Sequence, residues 1–174
     1  MFRLALAFFA AAASVAAAAS PAAANETAAV PRCTSAQLGT TIYLQGAGGS
    51  LAGAMRVVNG GRRCSLGGRP QISAFSATGR RLLTRTGASP PRWQLASRSR
   101  PRGWPSVVLE RNQKADIGLV VRNWCGRSGA RVTFRALAGA TGELSAATVL
   151  RLRCDAPGAG LSLSVGPFEP VSSG

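Results

Sequence analysis

Four cysteines, Cys33, Cys64, Cys125 and Cys154, divide this 174-residue chain into two similar outer intervals around a longer middle one. Ahead of them stands an apolar, alanine-rich start. Met1-Phe2-Arg3 is followed by Leu4 to about Val15, with Phe8 and Phe9, then by Pro21 and Ala22-Ala23-Ala24. A short positive start, an apolar stretch and a small-residue site are the marks of a cleavable export leader. The cut is expected after Ala24, which makes 1–24 a signal peptide. Leu4 to Ala19 is too short and too rich in alanine for a bilayer span of about 20 strongly apolar residues. Val30-Pro31-Arg32, directly before Cys33, is unlike a lipid-attachment site. The chain is therefore expected outside the cytoplasm, where cysteines pair.

Four cysteines allow three connectivities. Sequential pairing closes loops of similar separation, 31 and 29 residues. On the chain-entropy view each such bridge contributes roughly 3–4 kcal/mol. The favoured pairs are Cys33–Cys64 and Cys125–Cys154, the second expected inside the core because both of its cysteines fall on the apolar parity of their strands. Zinc is the rival use of four cysteines, but it calls for short C-x-x-C knuckles and often histidine. Neither occurs, since the chain has no histidine. No metal site and no cofactor are expected.

The apolar pattern behind the leader has period two, the period of a strand with one wet face. In Ala115 to Cys125, Ile117, Leu119, Val121 and Cys125 share one side, and Asp116, Gly118, Arg122 and Trp124 the other. Val132, Phe134 and Ala136 alternate with Arg131, Thr133 and Arg135. In Thr148 to Cys154, Leu150, Leu152 and Cys154 alternate with Arg151 and Arg153. Leu161, Leu163 and Val165 alternate with serines. Thr40 to Leu44, Gly53 to Asn59 (Met55 and Val57 inward), Gln71 to Phe75 and Ser106 to Leu109 complete about eight short strands. Gly, Asn, Ser or Pro clusters separate them, and no amphipathic helix follows the leader. The expectation is an all-β, antiparallel β-sandwich with two disulfides. Removing the leader leaves roughly 150 residues, enough for one domain with a core. Residues 25–32 read as a disordered lead-in, 33–170 as the single domain and 171–174 as a tail.

Several short motifs resemble those of one family. Cys33-Thr34-Ser35-Ala36-Gln37-Leu38 is similar to its opening Cys-x-x-x-x-Leu. Val57-Val58-Asn59 and Cys64-Ser65-Leu66-Gly67-Gly68-Arg69-Pro70 resemble its Asn…Cys-Thr-Leu-x-Gly-x-Pro stretch. Leu109 to Ala115 is similar to its Leu-x-Pro-Gly-x-x-Ala turn without the Pro-Gly. Asn123-Trp124-Cys125 and Cys154…Leu163-Ser164-Val165-Gly166-Pro167-Phe168-Glu169-Pro170 resemble its close. The family is domain of unknown function 4232, found mainly in exported proteins and lipoproteins of actinobacteria. The resemblance spans about Cys33 to Pro170 and implies an immunoglobulin-like sandwich. It brings no activity and no site residues, and the missing lipid-attachment signal sets this chain apart from lipoprotein members.

Composition narrows the chemistry. Without histidine, Ser-His and Cys-His dyads cannot be built. Lys114, the one lysine, falls in a polar turn; Glu26, Glu110, Asp116, Glu143, Asp155 and Glu169 lie mostly in turns or tails, outside any carboxylate-pair motif. Glycines 46, 48, 49, 60, 61, 67 and 68 suit turns, and no phosphate-binding G-x-x-x-x-G-K-[ST] is present. The chain reads as a non-catalytic protein. Its 21 basic residues against 6 acidic ones give a net charge of +15, a potential that attracts polyanions. Two surfaces are singled out as candidate anion sites. One is the loop Pro90 to Pro105, where Arg92, Trp93, Arg98, Arg100, Arg102 and Trp104 place guanidinium beside indole, suited to phosphate or glycan ligands. The other is an outward sheet face bearing Arg122, Arg131, Arg135, Arg151 and Arg153. The expected partner is an anionic envelope polymer, lipid headgroup or acidic protein; specific nucleic-acid binding is not expected. The alternatives are a structural or protein-interaction module with no small ligand and, last, an enzyme lacking histidine.

Overall fold

The computed structural model describes residues 29–47, 49–82, 84–87, 104–138, 141–151 and 154–171. These residues form an all-β fold with one short 3-10 turn, Ser35–Gln37. The strands are β1 (Leu38–Ala47), β2 (Ser50–Asn59), β3 (Cys64–Leu66), β4 (Gln71–Ser76) and β5 (Thr84–Gly87). They continue with β6 (Val107–Leu109), β7 (Lys114–Arg122), β8 (Ala130–Leu137), β9 (Glu143–Leu150) and β10 (Leu161–Pro170). One sheet has the order β1-β2-β7-β10-β5, a second β4-β8-β9, and a short third pairs β3 with β6. Every pair is antiparallel except β5, which lies parallel to β10. The outer strands of the large sheet meet those of the second, β1 beside β9 and β5 beside β4. Strand edges that would invite foreign pairing are thereby covered.

The alternation of the sequence sets which side faces inward. Met55, Ile117 and Phe168 stand side by side across β2, β7 and β10 and are fully buried. Val132, Phe134 and Ala136 of β8 and Leu144 and Leu150 of β9 face them from the second sheet. Burying a side chain of Leu or Phe size contributes roughly 1.5–3 kcal/mol. Strand β9 corrects the expectation of a strand from Thr148 to Cys154. It pairs along the whole of β8, whose first residue, Ala130, faces Leu150, so no partner remains beyond that point. Arg151 is exposed past the strand end, and Leu152 and Arg153 lie outside the described residues.

Both expected disulfides are present, Cys33–Cys64 and Cys125–Cys154. Their placement reverses one expectation. Cys33 and Cys64 are buried, at 0% and 2% exposure, whereas Cys125 and Cys154 are exposed. The reason lies at Asn123, whose φ of 55° is left-handed and breaks the alternation just after β7 ends at Arg122. Asparagine tolerates that conformation better than most residues with a side chain. Parity restarts one step out of phase, so Trp124 turns into the core at 7% exposure and Cys125 turns out. The indole donates its N–H to the carbonyl of Arg127 at 3.1 Å. Gly126 passes so close over the ring that a Cβ there would stand 2.2 Å from an indole carbon, which fixes glycine at that position.

Asn59 is the polar centre of the other end. It is fully buried, and its amide N–H groups reach the carbonyls of Arg62 at 2.9 Å, Leu109 at 3.0 Å and Glu110 at 3.3 Å. Its Oδ1 accepts the Gly61 N–H at 2.9 Å and the Gln37 side-chain amide at 3.3 Å. Asn59→Ala strands these groups and is expected to cost about 3 kcal/mol in urea unfolding, since each orphaned buried polar group carries its own desolvation penalty. Asn59→Asp is expected to cost more at neutral pH, because it sets a carboxylate against three carbonyls. It recovers part of the loss on acidification, when the protonated carboxyl regains a donor. Equal stability of the Asp variant at both pH values would contradict the assignment. The bridges also differ in access, which governs thiol–disulfide exchange. Mild reduction of the native protein followed by alkylation is expected to label Cys125 and Cys154 well before Cys33 and Cys64. Simultaneous labelling of all four would count against this packing.

Candidate functional site

A cleft of about 350 Å³ opens beside β3, lined by Val30, Arg32, Ser65, Gly67, Gly68 and Ser106. Its walls come from three segments. The incoming chain contributes Val30 and Arg32 and is stitched to β3 by the bridge Arg32–Ser65, with Cys33 N–H to Ser65 O at 3.0 Å and Ser65 N–H to Pro31 O at 2.8 Å. The segment leaving β3 contributes Gly67 and Gly68, and the approach to β6 contributes Ser106. Gly67 is packed against Ser106, where a Cβ would meet the serine Cβ at 3.1 Å, and Gly68 has a left-handed φ of 89°. Glycine is the residue for that conformation.

The Arg69 guanidinium lies 5.5 Å from the centre of the Trp104 ring. Arg69 follows Gly68, and Trp104 precedes Ser106 by two residues, so the stacked pair joins two of the segments that line the cleft. Trp104 is half-buried. Of the expected loop site, it is the member that the described residues include; Arg92, Trp93, Arg98, Arg100 and Arg102 lie outside them. Arg32 and Arg69 escaped the sequence reading because neither lies in a strand or an arginine run. Their meeting with the Trp104 segment depends on the pairing of β3 with β6.

The second expected site, one arginine-bearing sheet face, is not formed as such. Arg131 and Arg135 share the outward side of β8, but Arg122 ends β7 in the other sheet, Arg151 follows β9, and Arg153 lies outside the described residues. The chain crosses between sheets at Cys125 to Gly129, so consecutive strands do not present one face. Arg135 is also already engaged. It lies 4.3 Å from the centre of the Phe75 ring and 3.5 Å from Glu143 on the adjacent strand. A diagonal carboxylate, rather than an external anion, answers its charge.

A third constellation lies on the outer side of the large sheet. Arg56 of β2 grips Asp116 of β7 with two bonds, Nε to Oδ1 and Nη2 to Oδ2, both 2.9 Å. Tyr43 of β1 donates its hydroxyl to Asp116 Oδ2 at 2.8 Å, under the Arg56 guanidinium at 5.2 Å. Outward parity of Arg56 and Asp116 is readable from the alternation; that β2 and β7 are neighbours is not. Another carboxylate, Glu110, is held by Arg63 at 2.9 Å. No cluster of three or more His, Cys, Asp or Glu groups able to hold a metal occurs among the described residues.

Comparison with known protein families, characterised proteins and solved structures finds no match to this chain.

Tyr43 offers a direct probe of the outer cluster, because it is the chain's one tyrosine and phenolate absorbance reads it alone. Partial burial, then the hydrogen bond to Asp116 and that carboxylate's charge, raise its pKa above the ordinary value of 10.0. A raised folded value means that the fold favours the neutral phenol. This contribution is complete below about pH 10 and is lost as pH climbs through the folded value. The titration midpoint is expected to lie above that of the urea-unfolded chain. Asp116→Asn is expected to lower it, by removing the carboxylate and leaving Arg56 beside the hydroxyl. Coincident midpoints for folded and unfolded protein would refute the arrangement.

Proposed function

We propose that this chain is an exported, non-catalytic module of immunoglobulin-like sandwich type, acting at the cell envelope or in the extracellular space by binding an anionic polymer. One observation carries the reading: most of the arginine charge is unneutralised within the fold. Arg56, Arg63 and Arg135 are ion-paired, whereas Arg32, Arg69, Arg122, Arg131 and Arg151 have no carboxylate partner among the described residues. A surface with so large a surplus of one charge creates a potential of several kT and draws polyanions. Outside the cytoplasm these are phosphate-bearing wall polymers, acidic glycans or anionic lipid. The two disulfides suit an oxidising compartment. Among the described residues no helix is long and apolar enough to cross a membrane.

Several features support the finer parts of the reading. Sheets that face one another across an apolar core are the frame of an immunoglobulin-like sandwich, in keeping with the resemblance of Cys33 to Pro170 to the domain of unknown function 4232 family. Against catalysis stand the lack of histidine and the engagement of Glu110, Asp116 and Glu143 by arginines.

The test is binding of the chain from Asn25 onward to envelope fractions and to a defined polyanion, poly(glycerol phosphate), at two salt concentrations. Affinity is expected to fall steeply between low and physiological salt, as the Debye length shrinks toward about 8 Å. Replacing Arg122, Arg131 and Arg151 together by Gln is expected to flatten that dependence. Absence of binding to every anionic fraction at low salt would instead favour a structural or protein-interaction module.

A further inference from the structure

We propose that the cleft beside β3 is a receptor for a phosphate diester, with Arg32, Ser106 and the Gly67 and Gly68 amides as its donors. The inference rests on the anionic-polymer reading and gives it a site and a ligand group.

The polar groups of the cleft are one-sided. Arg32 is exposed and has no carboxylate partner among the described residues. Among the described residues the Gly67 and Gly68 amides have no acceptor and the Ser106 hydroxyl has no partner. Ser65 is different: its hydroxyl is already turned to the carbonyls of Val30 and Pro31, at 3.4 and 3.3 Å. Among the described residues no acidic side chain lines the cleft. Uncommitted donors from three separate segments, with no competing carboxylate, select an anion.

Their arrangement selects a tetrahedral one. A carboxylate offers two coplanar oxygens, which a single guanidinium fork satisfies. Donors supplied by three separate segments, the lead-in chain, the glycine pair and the β6 approach, instead suit oxygens pointing in several directions. Gly67 and Gly68 carry no side chains, so the ligand can reach the backbone amides, the device by which peptide N–H groups hold phosphate elsewhere. The cleft, at about 350 Å³, is larger than a bare phosphate and leaves room for the carbon chain on either side of a diester, with Val30 as an apolar wall. Arg69, next in the chain to Gly68 and stacked on Trp104, supplies a second guanidinium to the segment that lines the cleft.

The site is also preorganised. Arg32 and Ser65 each adjoin a half of the buried Cys33–Cys64 bridge, and the backbone bonds between these segments fix one against the other. The backbone of the site therefore needs little ordering, and it is chiefly the exposed Arg32 side chain that the ligand must fix.

The experiment uses the oxidised chain from Asn25 onward with glycerophosphoglycerol, a single phosphate diester, followed by calorimetry and by amide NMR shifts. The diester is expected to move the Gly67 and Gly68 amide resonances. Arg32→Gln and Ser106→Ala are each expected to weaken it by about tenfold, the loss of one strong hydrogen bond to a charged group, with unchanged melting temperature. Should Arg32→Gln fail to fold, Ser106→Ala and the shifts decide alone. Two sources of the diester are then separated by competition. Displacement of bound poly(glycerol phosphate) identifies a wall-type polymer, and displacement of phosphatidylglycerol vesicles identifies a lipid headgroup; either supports the site. Polyglutamate that displaces the diester equally well at matched charge overturns the phosphate assignment. Undiminished polymer binding by both variants, without glycine shifts, overturns the cleft while leaving the polymer reading intact. Diester binding in the cleft with no affinity for any polyanion upholds the site and removes the polymer function.

Discussion

The buried amide of Asn59 is the interaction on which one whole end of this fold depends. Where β2 ends, four chain segments meet without a sheet ladder to satisfy their peptide groups, and buried peptide groups left unpaired are expensive. One asparagine side chain donates to and accepts from the turn at 60–63, donates to the turn between β6 and β7, and through Gln37 reaches the 3-10 turn. Its backbone joins in, with the Asn59 N–H bonded to Gln113 O and its carbonyl accepting from Asn112. The Cys33–Cys64 bridge lies against this network, since the Gln37 amide also approaches Cys64 Sγ at 2.8 Å. Covalent and polar restraints thus coincide, and the cleft at Arg32 and Ser65 is built on their outer side.

The opposite end repeats the device with different exposure. Because β2 and β7 are antiparallel, Asn59 and Asn123 stand at opposite ends of the large sheet. Asn123 donates to the carbonyls of Ala156 and Gly160 at 2.9 and 2.8 Å and accepts the N–H groups of Asp155 and Ala156 at 3.0 and 2.8 Å. It too stands next to a disulfide. Here the bridge is at the surface, because the left-handed turn at Asn123 exchanges a cysteine for a tryptophan in the core. The exchange is reasonable in energy: indole buries far more apolar area than a half-cystine, and its N–H finds a carbonyl.

Electrostatics divides the surface in two. On the sheet faces, arginines meet carboxylates of neighbouring strands, as in Arg56–Asp116 and Arg135–Glu143, and are spent on holding strands together. Beside the short third sheet Arg63 meets Glu110 in the same way, whereas Arg32, Arg69, Arg122, Arg131 and Arg151 have no carboxylate partner among the described residues. With so few acidic residues the fold cannot neutralise all its arginines, and pairing goes first where strands set opposite charges side by side. The remainder, mostly near strand ends and in connecting segments, is available to ligands.

The alternation of residues by itself determined the all-β class, most strand positions and most inward side chains, because a period of two leaves a strand little choice of which side to bury. The separation of the cysteines favoured the pairing that is found. Even Asn59 is legible in part, as a polar residue in phase with Met55 and Val57. What parity could not supply was its own interruption: a single left-handed residue at Asn123 resets it, and nothing local to Trp124 or Cys125 announces that. Strands as short as Cys64–Leu66 carry too few residues to show a period, and Ser145, Ala146 and Ala147 of β9 differ too little in polarity to mark one. Neighbourhood across sheets was decided only by the tertiary structure. The meetings of Arg56 with Asp116 and Tyr43, of Arg69 with Trp104, and of Arg32 with Gly67, Gly68 and Ser106 arise from strand order. Strand order is a long-range choice set by how the whole apolar surface closes, and no local run of residues encodes it.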